Sequence, residues 1–315
     1  MKLAQLFSRS GRAAKGDLFA ICPDETGVAF ARTLRGGGKP KVLKCSYRAA
    51  ANLTSASLAR LAKEERIDGG GRVITLLDSR EHHIQLVDGI NVPPDEQKAA
   101  VRWRIKENLD YSVDDAAVDI VRVPTRSNSA QPLLAFAAAS PTIKKRVDLF
   151  GKAKLNLSII DVPVMAQRNI AQLFEVEGRS LALLSFDPSG CILTVTSGGE
   201  LYMPRRFEIA LAQLEDANEI KRQQSLDRLG LELQRSLDYF SRQFSWVPVQ
   251  RLLIAAPDRL NLPAALAENL DVPVEPLHLA DMLDISAVPD LRDSEFASHM
   301  ILALGAALRD ERPAP

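Results

Sequence analysis

One order of elements is written twice along this chain, and that duplication limits the folds open to it more than any short motif does. In the first copy, strand-like runs at 18–21, 28–34 and 41–47 precede a helical stretch at 54–65 and a strand at 73–77. In the second, runs at 181–186, 191–196 and 200–207 precede a long amphipathic segment at 220–244 and a strand at 251–255. Each βββαβ unit must bury one face of its sheet, so two of them pack as paired lobes around a binding cleft. A length of 315 residues with 46% hydrophobic content agrees, since it exceeds what a single core usually holds.

The stretch between the copies belongs to neither. Residues 84–87 look extended, and Val92-Pro-Pro-Asp-Glu-Gln97 then opens a helix with proline at its start and acids in its first turn. That helix runs to about residue 109, and strands at 117–123 and 132–139 follow, joined by a polar turn, before a helix at 141–150. Residues 81–154 therefore read as a small α/β module inserted in the first lobe, with 155–160 and a helix at 164–174 leading back to the main body. The first lobe is then 17–80 with 155–178 and 294–309, the second is 179–293, and 310–315 form a disordered tail. The most apolar run, 300–308, is interrupted by Gly305 and bounded by His299 and Arg309. It is far shorter than the roughly 20 residues that span a bilayer, so it reads as a buried closing helix.

Composition excludes several functions. With 40 basic against 40 acidic residues and no basic stripe interleaved with aromatics, nucleic acid is not a partner. Cys22, Cys45 and Cys191 are odd in number and far apart, which suits reduced thiols rather than a disulfide framework. His82 and His83 are adjacent on a strand and point to opposite faces, while His278 and His299 stand alone, so no metal site is expected. No nucleophile elbow or zinc-protease motif occurs, which leaves no catalytic residue to name. The runs Gly36–Gly38 and Gly69–Gly71 lead into strands and not into a helix N-terminus, so they are loops rather than phosphate cradles.

Two stretches point to contacts with other molecules. The N-terminal leader, residues 1–16, carries Lys2, Arg9, Arg12 and Lys15 beside Leu3, Leu6 and Phe7 at helical spacing. It is either a basic amphipathic anchor on an anionic membrane surface or a solvated extension. On the helix of the inserted module, Val101, Ile105 and Leu109 line one face, and Trp103 lies nearly opposite, flanked by Arg102 and Arg104. Trp103 either packs against the module or stands exposed as a partner anchor, a role in which Trp and Arg are enriched.

Three stretches carry a resemblance to a known family. They are Val101-Arg-Trp-Arg-Ile105 with Asn108-Leu-Asp-Tyr-Ser-Val-Asp-Asp-Ala-Ala-Val-Asp119; Leu229-Gly-Leu-Glu-Leu-Gln-Arg-Ser-Leu-Asp-Tyr-Phe240 leading to Arg251-Leu-Leu-Ile-Ala-Ala-Pro257; and Ala303-Leu-Gly-Ala-Ala-Leu-Arg309. Together with the repeat they make the chain similar to PilM-like, and among these MshI-like, pilus biogenesis proteins of the actin-like ATPase superfamily. The resemblance implies a two-lobe actin-like (ribonuclease H-like) α/β fold. It also implies a scaffold at the cytoplasmic face of the inner membrane in a type IV, MSHA-like pilus machine. Its partner would be the cytoplasmic tail of a PilN-like or MshJ-like single-span membrane protein, gripped between the inserted module and the first lobe.

Members of this superfamily often bind ATP with magnesium through two strand turns and a glycine-rich turn. Judged by that pattern, the first turn, Cys22-Pro-Asp-Glu-Thr-Gly27, places a proline where a donor is wanted and acids where phosphate would lie. The last strand ends Ile254-Ala-Ala-Pro257 with no glycine pair. Only Asp187-Pro-Ser189-Gly190 keeps the acid and the glycine, so Asp187, Ser189 and Gly190 are the candidate remnant of a phosphate turn. The expectation is a pseudo-ATPase with no cofactor and no catalysis. The competing reading is an ATP- and magnesium-dependent ATPase or small-molecule kinase, and a third is a filament former.

Overall fold

The computed structural model describes residues 18–67, 70–126 and 130–310, and the expected leader and all but residue 310 of the expected tail lie outside these. The chain begins with strands β1 (Leu18–Pro23), β2 (Gly27–Leu34) and β3 (Lys41–Ala49), helix α1 (Ser55–Glu64) and β4 (Arg72–Leu76). There follow β5 (His83–Val87), α2 (Pro94–Arg104), β6 (Ala116–Arg122), β7 (Leu133–Ala139), α3 (Ser140–Lys152), β8 (Asn156–Asp161) and α4 (Pro163–Ala171). The second copy contains β9 (Ser180–Asp187), β10 (Gly190–Ser197), β11 (Glu200–Phe207), α5 (Leu211–Leu214), α6 (Glu219–Gln243), β12 (Val249–Ala255), α7 (Leu262–Ala267) and β13 (Val274–Pro276), and α8 (Ser294–Ala307) closes the chain.

Local chemistry explains the helix boundaries. Thr54 caps α1 through its side chain and receives Ser57 in return, a capping box that satisfies two otherwise free donors. Pro94 starts α2, with Asp95 and Glu96 beside the positive end of its dipole. Asn218 caps α6, whose Leu229, Leu233, Leu237 and Phe240 recur at helical spacing and form its buried stripe.

The two five-stranded sheets have the same order, β3-β2-β1-β4-β8 and β11-β10-β9-β12-β13. In the second, β9, β10 and β11 form an antiparallel meander, and β12 and β13 join parallel to β9 and to each other. The repeated unit is therefore longer than the sequence pattern suggested, with a further helix and strand in each copy. In the first copy these are α3 and β8. The sequence reading placed α3 in the inserted module, yet its Phe150 is fully buried with Phe19, Phe30 and Leu58 in the core of the first sheet. The insertion itself is the three-stranded sheet β5-β7-β6 with α2 laid across it, held by Val87, Val101, Ile105, Leu133 and Ala137.

The described residues fall into two compact units. One takes the chain up to Phe30 and the span Ser46–Pro163; the other takes Ala31–Cys45 and Val164–Arg309. The sequence reading gave 164–178 and 294–309 to the first lobe, and the structure groups both with the second copy. The reason is their packing: buried Gln167 of α4 donates to carbonyls of Leu183 and Ile192, and α8 packs against β9 and β12. Asn169 Nδ2 also donates to Gly305 O at 2.9 Å, where α4 and α8 cross.

Candidate functional site

The turn between β1 and β2 is built around one carboxylate. Asp24 Oδ1 accepts from the backbone N–H groups of Thr26 and Gly27, both at 2.7 Å, and from the hydroxyls of Thr26 and Tyr47, both at 2.8 Å. Burial pushes the Asp24 pKa upward, but these hydrogen bonds from Tyr47, Thr26 and Gly27 outweigh it and hold the group below the usual carboxylate range. A Cβ on Gly27 would sit 2.3 Å from Arg48 O, so only glycine fits at the start of β2. Glu25, next in the turn, pairs with Arg80 at 2.5 Å, and Arg80 Nε also reaches Asp78 at 3.0 Å. Cys22, just before the turn, has its thiol pushed up to about 12 by burial.

The turn between β9 and β10 repeats this design. Asp187 Oδ1 accepts from Ser189 N and from Ser189 Oγ, both at 2.8 Å. A Cβ on Gly190 would meet Phe207 O at 2.3 Å. Arg206 takes the place that Tyr47 has in the first turn, donating to Ser189 Oγ at 2.7 Å and to Ser189 O at 3.2 Å. Asp187, Ser189 and Gly190 thus do come together in one turn. The sequence reading opposed the two turns, whereas the structure makes them twins, Asp24-Glu-Thr26-Gly27 and Asp187-Pro-Ser189-Gly190, each an acid closed onto the hydroxyl residue two positions later. The pattern Asp-x-Thr/Ser-Gly is present in the sequence of both turns.

The third place falls at the end of β12. No glycine pair occurs there, and Asp258 N, one residue after Pro257, is taken by Ser294 Oγ at 2.9 Å. Among the described residues no group of three or more His, Cys, Asp or Glu side chains is arranged to hold a metal ion. His82 is used locally, its Nδ1 lying 2.9 Å from Asp78 O.

On the helix of the inserted module, Trp103 does not pack against the module. Its side chain is 63% exposed, with Lys106 Nζ 5.7 Å from the ring centroid. Arg102 is committed to its own module, donating to Val113 O at 2.7 Å and Asp114 O at 2.8 Å, and it fixes the helix rather than projecting from it. Arg104 is exposed. The leader residues Lys2, Leu3, Leu6, Phe7, Arg9 and Arg12 lie outside the described residues.

One feature escaped the sequence altogether. Beyond the C-terminal end of α2, a cavity of about 270 Å³ opens on the inserted sheet, lined among others by His83, Gln85, Ile105, Asn108, Ala135 and Ala137. It exists because β7 presents only alanines there, and a run of alanines in a strand carries no signal of a hollow.

No protein-family model matches the chain, and no curated protein does. Solved structures with the same fold do exist. One, described as the PilM-PilN type IV pilus biogenesis complex, superposes with a TM-score of 0.73 at 18% identity, covering 92% of this chain and 97% of that one. The cytoplasmic domain of EpsL, an inner membrane component of the type II secretion system of Vibrio cholerae, gives 0.54 at 10% identity, covering 93% and 96%. A Bacteroides thetaiotaomicron protein of actin-like ATPase fold and unknown function gives 0.50 at 12% identity, covering 88% and 96%. The chain therefore has the two-lobe actin-like fold.

Proposed function

We propose that this protein is a scaffold of a type IV, MSHA-like pilus assembly machine, and that its actin-like body has become a binding platform that no longer reads nucleotide. The observation that carries the second half is the closure of the twin turns. A phosphate needs free backbone donors, and here the donors of Thr26, Gly27 and Ser189 are held by Asp24 and Asp187. Each acid also sets negative charge where phosphate would have to lie. At about 1.5–3 kcal/mol for each hydrogen bond to a charged group, the loss of two or three takes a micromolar site to roughly millimolar or weaker.

The scaffold half is supported by likeness to the structure described as a PilM-PilN complex and to the EpsL cytoplasmic domain, since PilN and the inner membrane component EpsL are named in those descriptions. The partner is the cytoplasmic tail of a PilN-like or MshJ-like single-span protein, and the protein sits at the cytoplasmic face of the inner membrane with its basic leader near anionic lipid. Trp103 and Arg104 form the exposed anchor, with Arg102 holding their helix in place. No helix of the described residues is long and apolar enough to cross a membrane, which suits attachment through a partner.

Co-purification tests this reading. The full chain is expected to retain a tagged tail of the neighbouring single-span protein, and Trp103→Ala to weaken that binding by roughly 30-fold, the cost of a central aromatic anchor of ~2 kcal/mol. Because Trp103 is exposed, the variant should melt with the wild type. Absence of any retained tail would remove the scaffold reading. The alternative, an ATPase or small-molecule kinase using ATP with magnesium, draws on the survival of Asp187 and Gly190 in the second turn.

A further inference from the structure

The inserted sheet runs β5-β7-β6, so β5 is an edge strand, paired with β7 along one side. An edge strand offers main-chain donors and acceptors to any extended chain laid beside it. His83 and Gln85 stand opposite Ala137 and Ala135, and all four line the cavity, which therefore opens on the α2 face directly beside that edge. A strand added to β5 would send alternate side chains onto this face, and one of them would enter the cavity. Its volume of about 270 Å³ falls below the ~300–1,000 Å³ typical of sites for whole small molecules. Just below the lower edge of that range and beside an edge strand, it suits a side chain of an added strand.

Polarity narrows the occupant further. Ile84, Ile105, Leu109, Ala135 and Ala137 are apolar, His83, Gln85 and Asn108 are polar, and no Lys or Arg lines the cavity among the described residues. Asp110, 81% exposed, lies 3.3 Å from His83 Nε2 and so stands beside the mouth. The carbonyl end of α2, partially negative, adjoins the same place through Ile105. We propose that the β5 edge takes an extended peptide segment as an added strand, with one uncharged apolar side chain in the cavity and a Lys or Arg within two residues of it paired to Asp110. For the source of that peptide the inference rests on the scaffold reading, because cytoplasmic stretches beside membrane spans are rich in Lys and Arg. It places the peptide within the inserted module, whereas the family resemblance implies a groove between module and first lobe.

The probe is a displayed library of random decapeptides selected on the immobilised full chain. Enriched peptides are expected to share an apolar residue with Lys or Arg one or two positions away. Ala137→Leu, which fills the cavity, is expected to weaken them at least about tenfold, and Asp110→Asn to reduce the preference for Lys and Arg by roughly fivefold. Asp110 is exposed, so its variant keeps the test valid even if Ala137→Leu folds poorly. No enrichment over background, or enriched peptides that bind both variants as they bind the wild type, would overturn the inference. Either of these with the partner tail still retained in co-purification would sink the cavity alone; loss of the tail with the selection intact would sink the scaffold alone.

Discussion

Gly305→Ala is expected to lower the melting temperature by about 4–5 °C, a loss of roughly 3 kcal/mol from overpacking. Helix propensity alone predicts the opposite, since alanine is better than glycine inside a helix by about 1 kcal/mol. The crossing of α4 and α8 decides the sign. A Cβ at residue 305 would lie 2.1 Å from Ala166 O and 2.6 Å from Ala166 C, and backbone atoms cannot swing aside as a side chain can. Separating the helices would also stretch the bond from Asn169 Nδ2 to Gly305 O. Gly230→Ala on α6 is the matched control. Its added Cβ would meet only Leu266 Cδ2 at 3.7 Å and Asn269 Nδ2 at 4.0 Å, so it should be neutral or slightly stabilising. If both substitutions raise the melting temperature, the crossing is looser than described.

Gln167→Ala is expected to cost about 3–5 kcal/mol, read from the denaturant midpoint. Gln167 is fully buried. Its Nε2 donates to Leu183 O at 2.5 Å, Ile192 O at 3.1 Å and Thr194 Oγ1 at 3.0 Å, and its Oε1 accepts from Ser185 Oγ at 2.5 Å. Truncation leaves a cavity and strands several buried polar groups, and each stranded group costs ~1–3 kcal/mol. Gln167→Met separates the two contributions, because it restores volume without restoring bonds. Both variants should be strongly destabilised; a methionine variant as stable as the wild type would show that packing alone matters here.

Much of this fold was legible because strand and helix periods differ, and the two copies express the same periods in the same order. What could not be read depended on partners distant in sequence. Strand β13 is three residues ending in Pro276, too short for any period to appear. Helix α3 follows the module directly, and only its contact with Phe19 and Phe30 shows that Phe150 belongs to the lobe's core. Assignment of 164–178 turned on Gln167, whose role is invisible until β9 and β10 lie beneath it.

At the candidate site the reverse holds. The twin turns are local, four residues each, and the chain spells them openly; what the spelling does not tell is that the carboxylates turn inward onto their own N–H groups. Trp103 could be placed on the outer face of its helix from spacing alone, but its exposure required knowing that nothing covers that face within the module. The cavity beside β5 needed β7, whose alanines sit some fifty residues further along the chain, opposite His83 and Gln85.

Because Asp24 and Asp187 hold the N–H groups of Thr26, Gly27 and Ser189, the proposed platform is expected not to bind nucleotide. Titration of the full chain with a fluorescent ATP analogue in the presence of magnesium tests this most directly. No saturation is predicted below roughly 1 mM. A saturable isotherm in the micromolar range, abolished by Asp187→Ala, would contradict the account.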